Sequence, residues 1–269
     1  MAFDSIDELE LEEGSARPAE FVQSLERGLS VIRCFSEARP RLSLSEVARD
    51  TGLTRAAARR FLLTLQHLGY VGSEDRYFFL RPAVLQLGYA YLSSFSLAAI
   101  AADHLTHAAE ALHESCSASV LDDDRIVYIA RSATNRIMSI NLAVGSRLPA
   151  TTTSMGRVLL AGLPDEELDE FLGRVELEPM TSNTITSVDA LRQTILAVRA
   201  QGYCVIDQEL EVGVRSVAVP VRNSRGEVVA AVNASAHSSR VSLERLETEF
   251  LRTLQRTAAS IEADVAARH

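Results

Sequence analysis

No lysine and no tryptophan occur in the 269 residues, and there are only three cysteines and seven prolines. Cys34, Cys116 and Cys204 are far apart and form no CxxC pair, which excludes a disulfide framework and a thiol-clamped zinc of the usual spacing. They read as reduced, structural thiols. Because all 27 cations are arginine, arginine abundance alone carries no functional weight. Long apolar runs are missing too: "SLAAIAA" near Ile100 and "VAVPV" near Val219 fall well short of the roughly 18 residues that cross a bilayer. The first 20 residues hold seven acids and one arginine, with no cationic start and no apolar core, so they are expected to be an acidic disordered tail and not a secretory signal. These absences point to a cytoplasmic, non-membrane protein.

What is present is a chain with 47% hydrophobic side chains, enough for real cores, whose length suggests two domains. The net charge of -9 argues against a nucleic-acid partner until its distribution is read. Residues 21–82 carry ten arginines against six acids, while residues 83–269 carry 16 arginines against 23 acids. A basic island between acidic segments suits a small phosphate-contacting module joined to a domain that does not bind nucleic acid.

Within the island, Val22, Leu25, Leu29, Ile32 and Phe35 recur at helical spacing and predict a first helix with one buried stripe. Ser43 followed by Glu46 is a capping-box pattern that opens a short second helix, stopped by Thr51-Gly52. Thr54 caps a third helix whose Ala58, Phe61, Leu62 and Leu65 face inward, ending near Gly69. "YVGSEDRYFFL" then reads as two β-rich runs around a polar turn at Ser73 to Asp75, the pattern of a wing. Pro82 opens a helix to Ser93 that is apolar on more than one side, as a linker or dimerising helix is.

In a helix-turn-helix the third helix enters the major groove with its N-terminal turn. The outward positions there are Thr54, Arg55, Ala56, Arg59 and Arg60, with Ser43 at the start of the preceding helix. Arginine takes guanine bidentately or phosphate as a charged fork, and a small Ala56 permits close approach to base edges. A solvated amphipathic helix would show the same face; the cap, turn, reader and wing within 60 residues favour double-stranded DNA.

Behind the island, a helix from about Leu97 to His113 precedes strand-like runs "SASVL", "RIVYIARS" and "IMSINLAV". "TTTSMGRVLLAGL" places hydroxyls before a short helix with an expected exposed start. A helix near Asp189–Gln201, the strands "YCVID", "RSVAVPVRN" and "EVVAAVNASAH" and a last helix complete an α+β pattern with an antiparallel sheet. Asn233 and Ser235, two apart in a strand whose Val228, Ala230, Val232 and Ala234 face the other way, put two polar groups on one sheet face. That invites a ligand or simply meets solvent. The backbone N–H groups at Ser154 to Gly156 offer an anion site, unless Ser154 only caps the helix.

"FVQSLERGLSVIRCF", "LSLSEVARDTGLTRAAARRFLLTLQHLGYV" and "GVRSVAVPVRNSRGEVVAAVNASAH" resemble the IclR family of transcriptional regulators from Phe21 onward. "SLERGL", "LTRAAARRFLLTL" and "DQELE" look most like its branch controlling protocatechuate and 4-hydroxybenzoate catabolism. The resemblance implies a winged helix-turn-helix (residues 21–82), a linker helix and a GAF-like α+β sensor (residues 83–269), acting as a dimer or dimer of dimers with a small aromatic acid as effector. Carried over by motif, the effector positions are Ser154, Met155 and Gly156, Asp207, Ser216, and Asn233 with Ser235; the family's usual residues differ at Met155 and Ser216. Asp207 reads equally well as a turn residue.

No nucleophile elbow, phosphate loop or Cys/His pair is found, so neither catalytic residues nor a cofactor are expected. His104 and His107 have the i, i+3 spacing of a metal clamp but lack a completing ligand, so no metal is expected. The competing readings are an enzyme acting on a small aromatic acid, which leaves the basic helix-turn-helix unexplained, and a regulator that senses a non-aromatic keto acid.

Overall fold

A computed structural model describes residues 20–36, 38–88, 96–133 and 142–267. The expected acidic tail and most of the expected strand "IMSINLAV" lie outside these residues. The chain divides into two compact units, Met1–Tyr91 and Leu92–His269.

In the first unit, α1 (Gln23–Arg33) is followed by β1 (Arg41–Ser43), α2 (Leu44–Asp50), α3 (Arg55–His67), β2 (Val71–Glu74) and β3 (Tyr77–Leu80). The strands form a small antiparallel sheet of order β1-β3-β2, with Asp75 in the left-handed region at the wing turn. Val31, Leu42, Val47, Ala58, Leu62 and Val71 make its core. The expected buried stripe on α1 differs from what is found: burial sets in only at Val31, and Val22, Leu25 and Leu29 are exposed. The core of α2, α3 and the sheet reaches only the second half of α1. Pro82–Val84 form a 3-10 turn and residues 85–88 are helical, so the expected linker helix is seen at its start; its remainder lies outside the described residues.

The second unit is built on a six-stranded antiparallel sheet of order β6-β5-β4-β9-β8-β7. Its strands are β4 (Ser115–Asp122), β5 (Arg125–Ser132), β6 (Arg147–Pro149), β7 (Cys204–Asp207), β8 (Val214–Arg222) and β9 (Val228–His237). Strand alternation separates two cores. On one face Val217, Val219, Val232 and Ala234 pack against α4 (Ser96–Leu112) and the last helix, α8 (Leu251–Ala266). On the other, Tyr128, Ala218 and Ala231 meet α5 (Ser154–Ala161), α6 (Asp165–Arg174) and α7 (Val188–Gln201). This helix–sheet–helix layering is the expected α+β sensor with an antiparallel sheet. Helical backbone leads into α8 from Leu243 through a π turn, Leu246–Phe250, with Leu246 and Phe250 buried and Leu243 exposed.

Candidate DNA interface and effector site

Ser43 and Thr54 are committed to the helices they start. Ser43 Oγ donates to Glu46 Oε2 (2.6 Å) and accepts from the Glu46 N–H (3.4 Å), while the Ser43 N–H donates to Glu46 Oε2 (2.8 Å). These bonds from Ser43, hydroxyl first and then amide, hold the Glu46 carboxyl below its usual pKa. Thr54 Oγ1 accepts from the Ala57 N–H at 3.2 Å. Between the two caps Gly52 has φ 63°, a left-handed turn that favours glycine and sets α2 against α3. Arg55, Ala56, Arg59 and Arg60 are all exposed on α3. None of these three guanidiniums pairs with a described carboxylate. Their neighbours do: Arg39 and Arg49 share Asp50, at 2.7 and 3.1 Å, and Arg41 reaches Glu74 at 2.6 Å. The outward face of α3 is thus a row of uncompensated cations.

In the sensor unit, the start of α5 is buried instead of exposed, from Thr151 through Gly156. Two contacts draw it in. A Cβ on Gly156 would lie 2.1 Å from the Ala150 carbonyl oxygen, so only glycine lets α5 pack this closely on the chain leading into it. Arg157, 2% exposed, sends its guanidinium inward to Glu209 (Nη1 to Oε1 2.7 Å, Nη2 to Oε2 2.5 Å), with Nε donating to the Thr151 carbonyl at 2.8 Å. The cap is Thr153, whose Oγ1 accepts the Gly156 N–H at 3.2 Å. One of the amides expected to serve an anion is therefore already used.

Five of the expected effector residues come together on the sheet face under α5. Ser216 Oγ donates to Ser154 Oγ at 2.8 Å, and Ser216 is paired in register with Ser235. Met155 Sδ accepts from Ser119 Oγ at 3.2 Å. Asn233 Nδ2 donates to Ser235 Oγ at 3.0 Å, and Asn233 Oδ1 is buried with no partner. Asp207 is apart: it is gripped by Arg215 (Nε to Oδ1 2.5 Å, Nη2 to Oδ2 3.4 Å), and strand alternation puts both on the opposite face from Ser216.

Comparison with known proteins decides what this pairing of units is. Residues 24–75 match the IclR helix-turn-helix domain, and residues 89–263 match the family described as bacterial transcriptional regulator IclR C-terminal. The chain belongs to the IclR family. It is 48% identical over 233 residues to the Pca regulon regulatory protein of Pseudomonas putida, covering 86% of this chain and 80% of that one. It is 36% identical over 247 residues to the p-hydroxybenzoate hydroxylase transcriptional activator of Acinetobacter baylyi, covering 90% and 91%. Among solved structures, a transcriptional regulator from Rhodococcus sp. RHA1 is 54% identical with a TM-score of 0.82, over 93% of this chain and 100% of that one. The PobR inducer-binding domain from Acinetobacter, a double mutant in complex with 3-hydroxybenzoic acid, is 34% identical with a TM-score of 0.58, over 61% and 95%. This IclR-family chain is thus a transcription regulator of the branch that the sequence motifs indicated.

Several residues of the regulator's sensor face escaped sequence reasoning. Ser115, Ser117 and Ser119 alternate with Cys116, Ala118 and Val120 in β4, a period of two that was readable, and Ser117 and Ser119 are buried beside Asn233 and Ala231. Arg131 and Glu209 carried no such signal, since each matters through a partner far along the chain. A cleft of about 380 Å3 at the other end of α5, lined by Val158, Leu163, Val198 and Pro220 among others, contains none of the expected effector residues. Its Arg199 is committed to the Ala161 and Leu163 carbonyls and to Asp165. Burial pushes the thiols of Cys116 and Cys204 up to about 12, and burial with the nearby Asp50 charge pushes Cys34 up to about 11. His104 hydrogen-bonds Asp264 at 2.8 Å. Among the described residues, no helix is long and apolar enough to cross a membrane.

Proposed function

We propose that this regulator acts in the cytoplasm as a homodimer or tetramer, binding double-stranded operator DNA through Arg55, Arg59 and Arg60, and that a small aromatic carboxylate of the protocatechuate or 4-hydroxybenzoate type binds under α5 and controls it. Asn233 carries the effector reading. Its Oδ1 is an unpartnered acceptor in a residue 4% exposed, and leaving such a group unsatisfied costs about 1–3 kcal/mol. A ring hydroxyl satisfies it, and the relative crystallised with 3-hydroxybenzoic acid supports that ligand class. The cleft at the far end of α5 offers no such unmet group: of its two arginines, Arg199 is paired with Asp165 and Arg222 donates to the Gly226 carbonyl. Dimerisation is supported by the first unit's exposed apolar side chains, Leu25 at 62% and Leu85 at 73%. Two reading helices would then address half-sites about 34 Å apart or a multiple of that.

Fluorescence anisotropy with the DNA upstream of the regulator's own gene tests both halves. Binding is expected to weaken steeply with salt, and hydroxybenzoates are expected to change the affinity where pyruvate and glyoxylate do not. Response to pyruvate with none to any aromatic acid would replace the effector class and leave the regulator standing. Sedimentation showing only monomer, with and without DNA, would remove the dimer.

A further inference from the structure

Among the described residues of the sensor unit, nine arginines are matched to a carboxylate. Five more described arginines there have no carboxylate, and of these Arg131, near the end of β5, alone has a buried guanidinium nitrogen without a partner. It is half-buried, its Nη1 donates to Ser117 Oγ at 3.2 Å, and its Nε is buried with no partner. Burial pushes its pKa below the ordinary arginine value, with only Tyr128 and Cys116 acting in the other direction. Sheet register then supplies the geometry: Ser117 lies opposite Arg131 in β5 and opposite Asn233 in β9. Cation, hydroxyl and unpartnered amide carbonyl form one row across the face. The next row is Ser119, which meets Met155 of α5.

We propose that Arg131 takes the effector's carboxylate, while Asn233 Oδ1 accepts a hydrogen bond from a hydroxyl at the ligand's other end. This rests on the aromatic-acid reading given above. With Nη1 committed to Ser117, what remains is the edge formed by Nε–H and Nη2, the side-on fork that matches both oxygens of one carboxylate. A desolvated guanidinium without a counter-charge is costly to keep, and an arriving anion removes that cost. Neighbouring strands are about 4.8 Å apart, so Arg131 and Asn233, two strands apart, are separated by roughly 10 Å at the backbone. A one-ring acid bridges that span once both side chains reach inward, whereas a two- or three-carbon keto acid meets only one of them. The start of α5 is the poorer anion site, since Thr153 already holds the Gly156 amide.

Calorimetry on the full chain with 4-hydroxybenzoate and the neutral, similarly shaped 4-hydroxybenzamide tests this. The wild type is expected to prefer the acid by roughly 10- to 100-fold. Arg131→Gln is expected to bring the acid down to the affinity of the amide, with amide binding changed far less than acid binding. Thermal melts and operator binding verify that the variant folds. Should Arg131→Gln not fold, Arg131→Lys carries the test: it keeps the charge but loses the fork, and is expected to lose acid affinity several-fold with amide affinity changed far less. Variants that keep the wild-type preference for acid over amide overturn the assignment and leave the aromatic-acid reading intact. A wild type that binds neither compound overturns both.

Discussion

Helix α3 and the packed elements of the sensor unit use the same residue in opposite ways. On α3 of the first unit, Arg55, Arg59 and Arg60 stand exposed with no described carboxylate to meet them, while in the sensor unit arginine after arginine is tied to an acid, as in Arg157–Glu209, Arg215–Asp207 and Arg240–Glu114. In a chain with no lysine, neither the count nor the sign of charge separates a DNA-reading surface from a structural one. What separates them is whether the charge has been neutralised within the fold. The free arginines of α3 are available to an external anion, as the proposed operator contact requires, whereas the paired ones hold elements together.

The largest expected effect comes from breaking a tied arginine. Glu209→Ala leaves the Arg157 guanidinium buried without its carboxylate and is expected to cost about 3–5 kcal/mol of stability, measurable by urea or thermal denaturation. A loss below about 1 kcal/mol would mean that the pair is solvated, and the contrast with α3 would weaken. Next are the free arginines. Alanine at Arg55, Arg59 or Arg60 is expected to weaken operator binding by about 1–3 kcal/mol where a base is read, or to lower the salt slope by about one where phosphate is met, with the melting temperature unchanged. Unaltered affinity and slope in all three variants would show that their lack of partners has nothing to do with DNA.

The smallest effect belongs to the cap that aims α2. Ser43→Ala is expected to cost about 0.5–2 kcal/mol of stability, seen as a lower melting temperature. The effect has a pH signature, because hydrogen bonds from Ser43 depress the Glu46 pKa in the folded state. Stability from a depressed carboxyl is present above the unfolded pKa and lost as pH falls through the folded one. The gap between wild type and variant should therefore narrow on acidification below the ordinary glutamate range. A gap that stayed constant there would mean that the carboxylate plays no part in the cap.

Features that depend on nearby residues were legible in the sequence. The caps at Ser43 and Thr54 and the Thr51-Gly52 turn are written within four or five residues and appear as read. The polar pair Asn233 and Ser235 was legible for the same reason, since alternation needs only one strand. Features that depend on register or on distant partners were not. Glu209 lies 52 residues from Arg157, and Arg131 acquires its meaning only when β4 brings Ser117 between it and Asn233. The start of α5 was misjudged as exposed because hydroxyl-rich caps are usually wet; here the tight approach of Gly156 to Ala150 carries it inside. On α1, helical spacing predicted the helix but overstated its buried stripe, because it says nothing of how far the neighbouring core extends.

The three cysteines make the protein its own reporter of opening. The thiolate is the reactive form, and with pKa values of about 11 for Cys34 and about 12 for Cys116 and Cys204, the folded chain holds almost none of it near neutral pH. An alkylating reagent therefore sees each thiol chiefly when its surroundings come apart and its pKa relaxes toward that of a free cysteine. Cys34 belongs to one compact unit and the other two to its neighbour. The order in which the three are alkylated in mild denaturant then gives a chemical clock for which half of the chain lets go first, without any label being introduced.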